Sequence, residues 1–231
     1  MLLYEFEGKE LFKNCGINVP QSQLLTLADS GQARMTITPP LFLKAQTLSG
    51  KRAESGGIVE VSSIKYLVSS IKKLFGSTVN GERVDKILVE KLVEYDKEYY
   101  LSFSYDTSTR GSVMTFGKSG GTRVEEKGAK IYPIDPIHLR GGILPEELMD
   151  TALKLWEVFT KYDCELAEIN PLVVDKDGKV WALDAKVILD DDADFRREVK
   201  FPERNLFGRP PTEAEIEARK IDEGDHRGTA G

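Results

Sequence analysis

Cysteine occurs only twice in 231 residues, as Cys15 and Cys164. Two residues so far apart make no disulfide framework and match no metal-type spacing, which favours a reducing compartment; a cytoplasmic protein is expected. Both are read as ordinary semi-buried thiols. No apolar run approaches the ~18 residues of a membrane span. The opening MLLYEFEGKELF is too acidic, and too short in apolar length, for a signal peptide. Positive charge is not in excess either. Against 38 Asp and Glu stand 32 Lys and Arg, a net charge of −6, so a general basic field for nucleic acid is not expected. What is present, 40% hydrophobic and 30% charged residues, is the composition of a globular chain that can bury a sizeable core.

The richest stretch is ELAEINPLVVDKDGKVWALDAKVILDDDADFR, residues 165–196. It reads as two strands, one around Leu172, Val173 and Val174 and one around Val180, Trp181, Ala182 and Leu183. Asp175, Lys176, Asp177 and Gly178 supply the turn between them. Polar groups gather at the strand ends: Glu168 and Asn170 before the first strand, Asp184 closing the second. Two carboxylates and an amide oxygen near one edge suit a hard cation such as Mg²⁺, whose remaining ligands are commonly phosphates. A surface hairpin with solvated charges has the same pattern.

Upstream, helices and strands alternate. Residues 4–14 predict an amphipathic helix with Tyr4, Phe6, Leu11 and Phe12 inward, ended by Gly16. Residues 41–46 predict a strand in which Lys44 must snorkel, pair with an acid or face a ligand. The loop that follows holds Gly50, Lys51, Arg52, Gly56 and Gly57. Such a loop is either a plain flexible turn or a phosphate cradle, in which glycine admits close backbone N–H approach and the cations neutralise charge. A helix is expected over 62–76, capped by Ser62 or Ser63, with Ile64, Leu67, Val68, Ile71, Leu74 and Phe75 at core spacing. Residues 86–91, 97–106 and 111–117 read as strands, and 145–163 as a helix with Leu148, Ala152, Leu155, Trp156 and Phe159 on one face. Taken singly, Glu90 and Glu98 read as exposed strand residues. After Arg196 the chain turns polar and proline-containing, as a linker or tail does.

E-I-N-P-L-V, then D-G, then A-L-D-A-K resembles the metal-binding end of the ATP-grasp domain in succinyl-CoA synthetase β subunits, related acyl-CoA synthetases and ATP-citrate lyase. E-G-K-E-L-F-K-N-C-G-I-N-V-P is similar to the opening of the same unit, where a helix leads into a short strand at the G-I-x-V-P segment. K-A-Q-x-x-x-G-x-R-x-x-x-G-G resembles its phosphate-covering segment, and I-L-V-E-K-L with K-E-Y-Y-L-S its hinge. The resemblance covers about residues 1–200 in motif order. It implies an α+β ATP-grasp fold that binds nucleotide between two sheet-containing lobes, with an inserted lobe at about 20–95. Residues 201–231 then lead towards a CoA-ligase domain that is absent here.

The same resemblance assigns residues. Asn170 and Asp184 match the positions that hold Mg²⁺, and Glu168 the acidic residue of that motif. Lys44 matches the strand lysine that reaches the α- and β-phosphates, and with Arg52 it is the expected catalytic pair. Gly50, Lys51, Arg52, Gly56 and Gly57 match the phosphate loop. Ala53 and Glu54 depart from that pattern, standing where a glycine and a lysine are usual, and Lys51 is the candidate to compensate. The backbone of Glu90, Lys91 and Leu92 matches the adenine-binding hinge, with Glu90 towards the adenine amino group and Glu98 near the ribose and phosphates. Gly120 and Gly121 match a second glycine loop, in which Thr122 and Arg123 are departures. The implied cofactors are ATP or GTP and Mg²⁺. The implied reaction moves a phosphoryl group between nucleotide and a histidine of a CoA-binding partner subunit, during thioester formation with a carboxylic acid. His138 and His226 lie in no glycine-rich histidine loop, so the phosphorylated histidine is expected elsewhere than in this chain. The nucleotide-binding part of an ATP-citrate lyase or citryl-CoA synthetase, and a non-catalytic scaffolding subunit, are the alternatives.

Overall fold

Helix α1 (Glu5–Asn14) begins the chain in the computed structural model, which describes residues 1–29, 35–108, 110–121, 128–134, 143–202, 204 and 212–224. Its first turn is closed by Glu7, whose carboxylate accepts from the Tyr4 N–H at 2.9 Å. The expected strand at residues 16–20 does not form. Pro20 cannot donate to a ladder, and strand β1 runs instead over Ser22–Thr26.

Three more strands join β1. They are β2 (Leu41–Ala45), β3 (Ile58–Val61) and, after the helix and small hairpin described next, β6 (Lys86–Lys91). The order is β1-β6-β2-β3, antiparallel throughout. Helix α2 (Ile64–Leu74) follows β3, and the pair β4 (Thr78–Val79) and β5 (Glu82–Arg83) makes a two-stranded hairpin. Ser63 caps α2, accepting from the Lys65 N–H. Leu67, Ile71 and Leu74 are buried with Leu41, Leu43, Ile87 and Val89, one face of the helix on one face of the sheet. Ile64 and Val68 share the apolar spacing yet are mostly exposed, so the stripe is wider than the surface it covers.

The segment from Leu92 to Asp96 crosses to a second sheet, where the Asp96 N–H donates to Val174 O at 3.1 Å. This sheet contains β7 (Lys97–Asp106), β8 (Gly111–Gly117), β9 (Lys130–Pro133), β10 (Cys164–Val174), β11 (Val180–Ala182) and β12 (Lys186–Leu189). Its order is β11-β10-β7-β8-β9, with β12 also on β10. Helix α3 (Met149–Lys161), entered through a short 3-10 turn at Glu146–Leu148, packs Ala152, Leu155, Val158 and Phe159 against it. Leu11 and Phe12 of α1 enter the same core. Cys15 and Cys164 are buried free thiols, and burial pushes Cys164 up to about 12, far from the thiolate a reactive cysteine needs.

The polar C-terminal stretch holds more structure than its composition implies. Helix α4 (Glu213–Gly224) lies within it. Arg204 returns to α1, donating through Nη1 and Nη2 to the two Glu7 carboxylate oxygens at 2.7 Å each. Both side chains are buried, and the guanidinium lies over the Tyr4 ring at 4.7 Å.

Candidate functional site

Lys44 does pair with acids. Its position on β2, a central strand, is buried on the face towards α1. Its Nζ donates to Glu90 Oε1 at 2.5 Å, Glu5 Oε1 at 3.0 Å and the Leu183 carbonyl at 2.6 Å. Lys9 makes a parallel set: Glu5 Oε1 at 2.7 Å, Glu90 Oε2, and the same Leu183 carbonyl at 2.8 Å. Arg52 completes the group. Its Nη1 donates to Glu5 Oε2 at 2.6 Å and Ala45 O at 3.1 Å, while its Nη2 donates to both Asp184 oxygens at 2.8 and 3.0 Å. Lys9, Lys44 and Arg52 thus face Glu5, Glu90 and Asp184, a charge-balanced cluster drawn from helix, sheet, loop and hairpin.

Balance is what makes such burial tolerable. An ion removed from water loses several kcal/mol of solvation, which only close counter-charges and hydrogen bonds return. Burial by itself raises the Glu5 carboxyl, yet Lys44, Lys9 and Arg52 around it hold it well below the ordinary value of 4.5. Burial likewise works against the charge on Lys44, but Glu5, Glu90 and Asp184 raise it and keep it an ammonium. A carboxylate depressed in the folded chain stabilises it fully above its unfolded value and loses that contribution as pH falls through the folded one. Glu5→Gln should therefore flatten the acid limb of stability below about pH 4.5. Denaturant midpoints against pH for the two proteins check this, and coincident limbs would count against it.

Close helix approach builds the cluster. A Cβ on Gly8 would meet Ala185 Cβ at 3.1 Å and Val187 Cγ2 at 3.3 Å, so glycine lets α1 lie on the chain just after Asp184. Glu5 and Lys9, one turn apart, then face inward together. This corrects the expected inward set of α1. Leu11 and Phe12 are buried, but Tyr4 and Phe6 are only half-buried, while Glu5, Glu7 and Lys9 lie inside.

The loop after β2 departs from a free phosphate cradle. Glu82 occupies its first amides, accepting from the Leu48 N–H at 2.9 Å and the Ser49 N–H at 2.7 Å. Gly50 O accepts from Asn80 Nδ2, and Gly57 N–H donates to Arg52 O at 2.7 Å. Gly50, Lys51 and Gly56 are exposed, and Lys51 has a positive φ of 57°. Of the loop's expected residues, Arg52 alone enters the cluster.

Of the two readings of Glu90, the solvent-exposed one fails. Glu90 is no exposed strand residue; its side chain is only 2% exposed and bonded to Lys9 and Lys44. Two backbone donors of the segment are taken, since Lys91 N–H donates to Gln21 O at 2.8 Å and Leu92 N–H to Pro40 O at 3.2 Å. Lys91, Leu92, Val93 and Gln21 nevertheless form one wall of a cleft of about 400 Å³, with Trp181 and the Asp175–Asp177 turn opposite. That volume lies within the range of small-molecule sites. Glu98, at the start of β7, accepts from Tyr95 Oη at 3.3 Å and does not join the buried cluster.

The predicted hairpin is β10 and β11, and its turn is held by Asp175. That carboxylate accepts from the Asp177 and Lys179 N–H groups and from Trp181 Nε1 at 2.7 Å. The register of β10 on β7 shifts between Ile169 and Leu172, a bulge that includes Asn170 and re-aims its amide. Asn170 Oδ1 accepts from the Gly121 N–H at 2.7 Å and its Nδ2 donates to Gly121 O at 3.0 Å. The neighbouring Gly120 is tightly enclosed: a Cβ there would lie 2.8 Å from Pro171 Cβ and 3.0 Å from Tyr99 O. Thr122 and Arg123 of this second loop, and both histidines, lie outside the described residues.

Glu168 is raised above the ordinary carboxylate value, mainly by burial and partly by nearby Asp184, against Lys186 and the hydrogen bonds from Tyr100 and Asn170. Tyr100 Oη donates to it at 3.1 Å. Asn170, Asp184 and Glu168 are all oxygen donors, the set a hard cation takes. Among the described residues no group of three or more His, Cys, Asp and Glu is arranged to hold a metal. With a bound phosphate these residues would supply oxygens to Mg²⁺, a shell that Asp184 could join only on leaving Arg52.

Glu5, Lys9, Glu82 and Tyr100 are the residues that motif reading did not single out. Only the first two carried a signal, the four-residue Glu–Lys spacing on a predicted helix. Among the described residues no helix is long and apolar enough to cross a membrane.

Comparison with known proteins gives the family. The β subunit of an ADP-forming succinate–CoA ligase from Methanocaldococcus jannaschii is 36% identical over 85% of this chain and 59% of its own length. The Desulfurococcus amylolyticus counterpart is 35% identical over 96% of this chain and 64% of its own. The chain therefore spans less than two thirds of these relatives. A solved ATP citrate lyase from Methanothrix soehngenii, in complex with citrate and coenzyme A, shares the fold at TM-score 0.70 and 19% identity, over 97% of this chain and 60% of that one. Residues 2–138 match the ATP-grasp domain itself, and with two sheets meeting across a buried ion cluster the chain belongs to the ATP-grasp family.

Proposed function

We propose that this chain is the nucleotide-binding ATP-grasp part of an acid–CoA ligase of the succinate–CoA ligase β type. It binds Mg-ATP or Mg-GTP between the lobe at about 20–95 and the rest of residues 1–200. One observation carries the reading: Lys44 and Arg52, on β2 and the loop after it, converge with Asp184 from far along the chain where the sheets meet. Lys44 and Arg52 supply charge for the phosphates; Asp184 and Asn170, with Glu168 beside them, supply oxygens for Mg²⁺. The metal, when bound, neutralises charge on the phosphate oxygens. The cleft between the hinge and Trp181 has room for the base, and Glu98 lies towards the ribose. Fixed charges aimed at the transferring phosphoryl group are the main source of acceleration in such reactions.

A CoA-binding partner subunit supplies the histidine that takes the phosphoryl group, and succinate is the acid favoured by the named relatives. The test is to mix the chain, its CoA-binding partner and γ-labelled ATP with Mg²⁺. Label on a partner histidine that chases into products on addition of succinate and CoA is the expected result. Chase by citrate but not succinate would move the assignment to the citrate-activating enzymes. Glu82, sitting on the amides of Leu48 and Ser49, favours a second reading as a non-catalytic scaffold. Absence of both nucleotide binding and label would decide for it.

A further inference from the structure

Glu5 has no assigned role, yet it is the point where the cations of the site meet. Its side chain is 1% exposed. Oε1 accepts from Lys9 and Lys44, and Oε2 accepts from Arg52 Nη1 at 2.6 Å. Arg52 is thereby held by two carboxylates of unequal standing. Asp184, on the Nη2 side, is 33% exposed, whereas Glu5 on the Nη1 side is enclosed. The fork geometry of guanidinium lets one arm change partner while the other stays.

We infer that Glu5 of α1 is a positioning residue for nucleotide phosphates, keeping Arg52 and Lys44 in place while Asp184 exchanges its arginine for the metal. This rests on the reading of Lys44 and Arg52 as phosphate-binding groups. With Glu5 present, release of Asp184 leaves Nη1 anchored and turns Nη2 free for a phosphate oxygen. Without its charge, Arg52 is left with Asp184 as its counter-ion, beside the Ala45 carbonyl, so the guanidinium settles on the residue the metal would need. Lys44 is affected less, because Glu90 and the Leu183 carbonyl still hold it. The role is electrostatic and aimed at the phosphates, so the base and ribose should not register it.

The experiment compares Mg-ATP binding by calorimetry with adenosine binding by ligand-observed NMR, in the full 231-residue chain. Glu5→Gln should weaken Mg-ATP by about 10- to 100-fold, the loss of a hydrogen bond to a charged group. Adenosine binding should stay within about twofold, and Mg-ATP binding by Glu5→Asp, which keeps the charge, should fall between. Equal losses for the two ligands, or none, overturn the inference. If Glu5→Gln does not fold, Glu5→Asp decides by the same ratio, and failure of both to fold assigns Glu5 to structure alone. A wild-type chain that does not bind Mg-ATP overturns the nucleotide reading as well; wild-type binding with an unchanged Mg-ATP affinity in the variants overturns this inference alone.

Discussion

Replacing Lys44 with methionine should lower unfolding free energy by about 3–5 kcal/mol and abolish nucleotide binding. The loss of stability comes from what is left behind more than from what is removed. Glu90 and Glu5 would remain buried around one cation fewer, and the three-against-three balance would become a net negative charge away from water. A charge-matched double variant separates the two effects. In Lys44→Met with Glu90→Gln the cluster is neutral again, and replacing both partners of a buried pair is commonly near neutral. Most of the lost stability should return, by urea unfolding, while binding stays absent because the phosphates still lack their lysine. A single variant costing under about 1 kcal/mol, or a double variant that binds nucleotide, would contradict this account.

Asp184→Ala should have the opposite profile. Its carboxylate is one third exposed and Arg52 keeps Glu5, so the variant should cost less than Lys44→Met, about 1–2 kcal/mol. Its effect should fall on metal dependence. In the wild type, Mg²⁺ would have to compete with Arg52 for the same oxygens, and Mg²⁺ with nucleotide together should outcompete the guanidinium. The variant would remove the proposed metal ligand and free the Nη2 arm of the arginine. Calorimetry with and without Mg²⁺ should show a wild-type affinity gain of about 100-fold on adding the metal, the contribution of one good charge-assisted contact set. That gain should vanish in the variant, and metal-free affinity should be unchanged or tighter. A variant that keeps the full Mg²⁺ response would remove Asp184 from the metal site.

These expectations rest on features of unequal legibility in the sequence. The hairpin and its turn could be read directly, because Asp175, Gly178 and the flanking apolar runs act over a few residues. Helix α2 was readable in position, but its covered width was not: Leu67 and Ile71 are buried whereas Ile64 and Val68 are mostly exposed. Covering depends on how much sheet lies opposite, which periodicity does not encode. The hardest feature was α1. Hydrophobicity ranks Tyr4 and Phe6 above Glu5 and Lys9, but the charges go inside because their partners at Glu90, Arg52 and Leu183 lie far along the chain. No local window contains that information. The hinge shows the same limit, since Gln21 and Pro40 occupy backbone donors that a strand motif alone would leave free.

The Arg204–Glu7 contact has a practical bearing on portability. A boundary drawn at residue 200, where composition changes, would strand Glu7 without its guanidinium and strip the cation from the Tyr4 ring, on the same helix that carries Glu5 and Lys9. Anyone grafting this nucleotide unit onto another scaffold, or swapping it between ligases, would need to carry the polypeptide through Arg204, because the recipient would otherwise inherit a destabilised first helix.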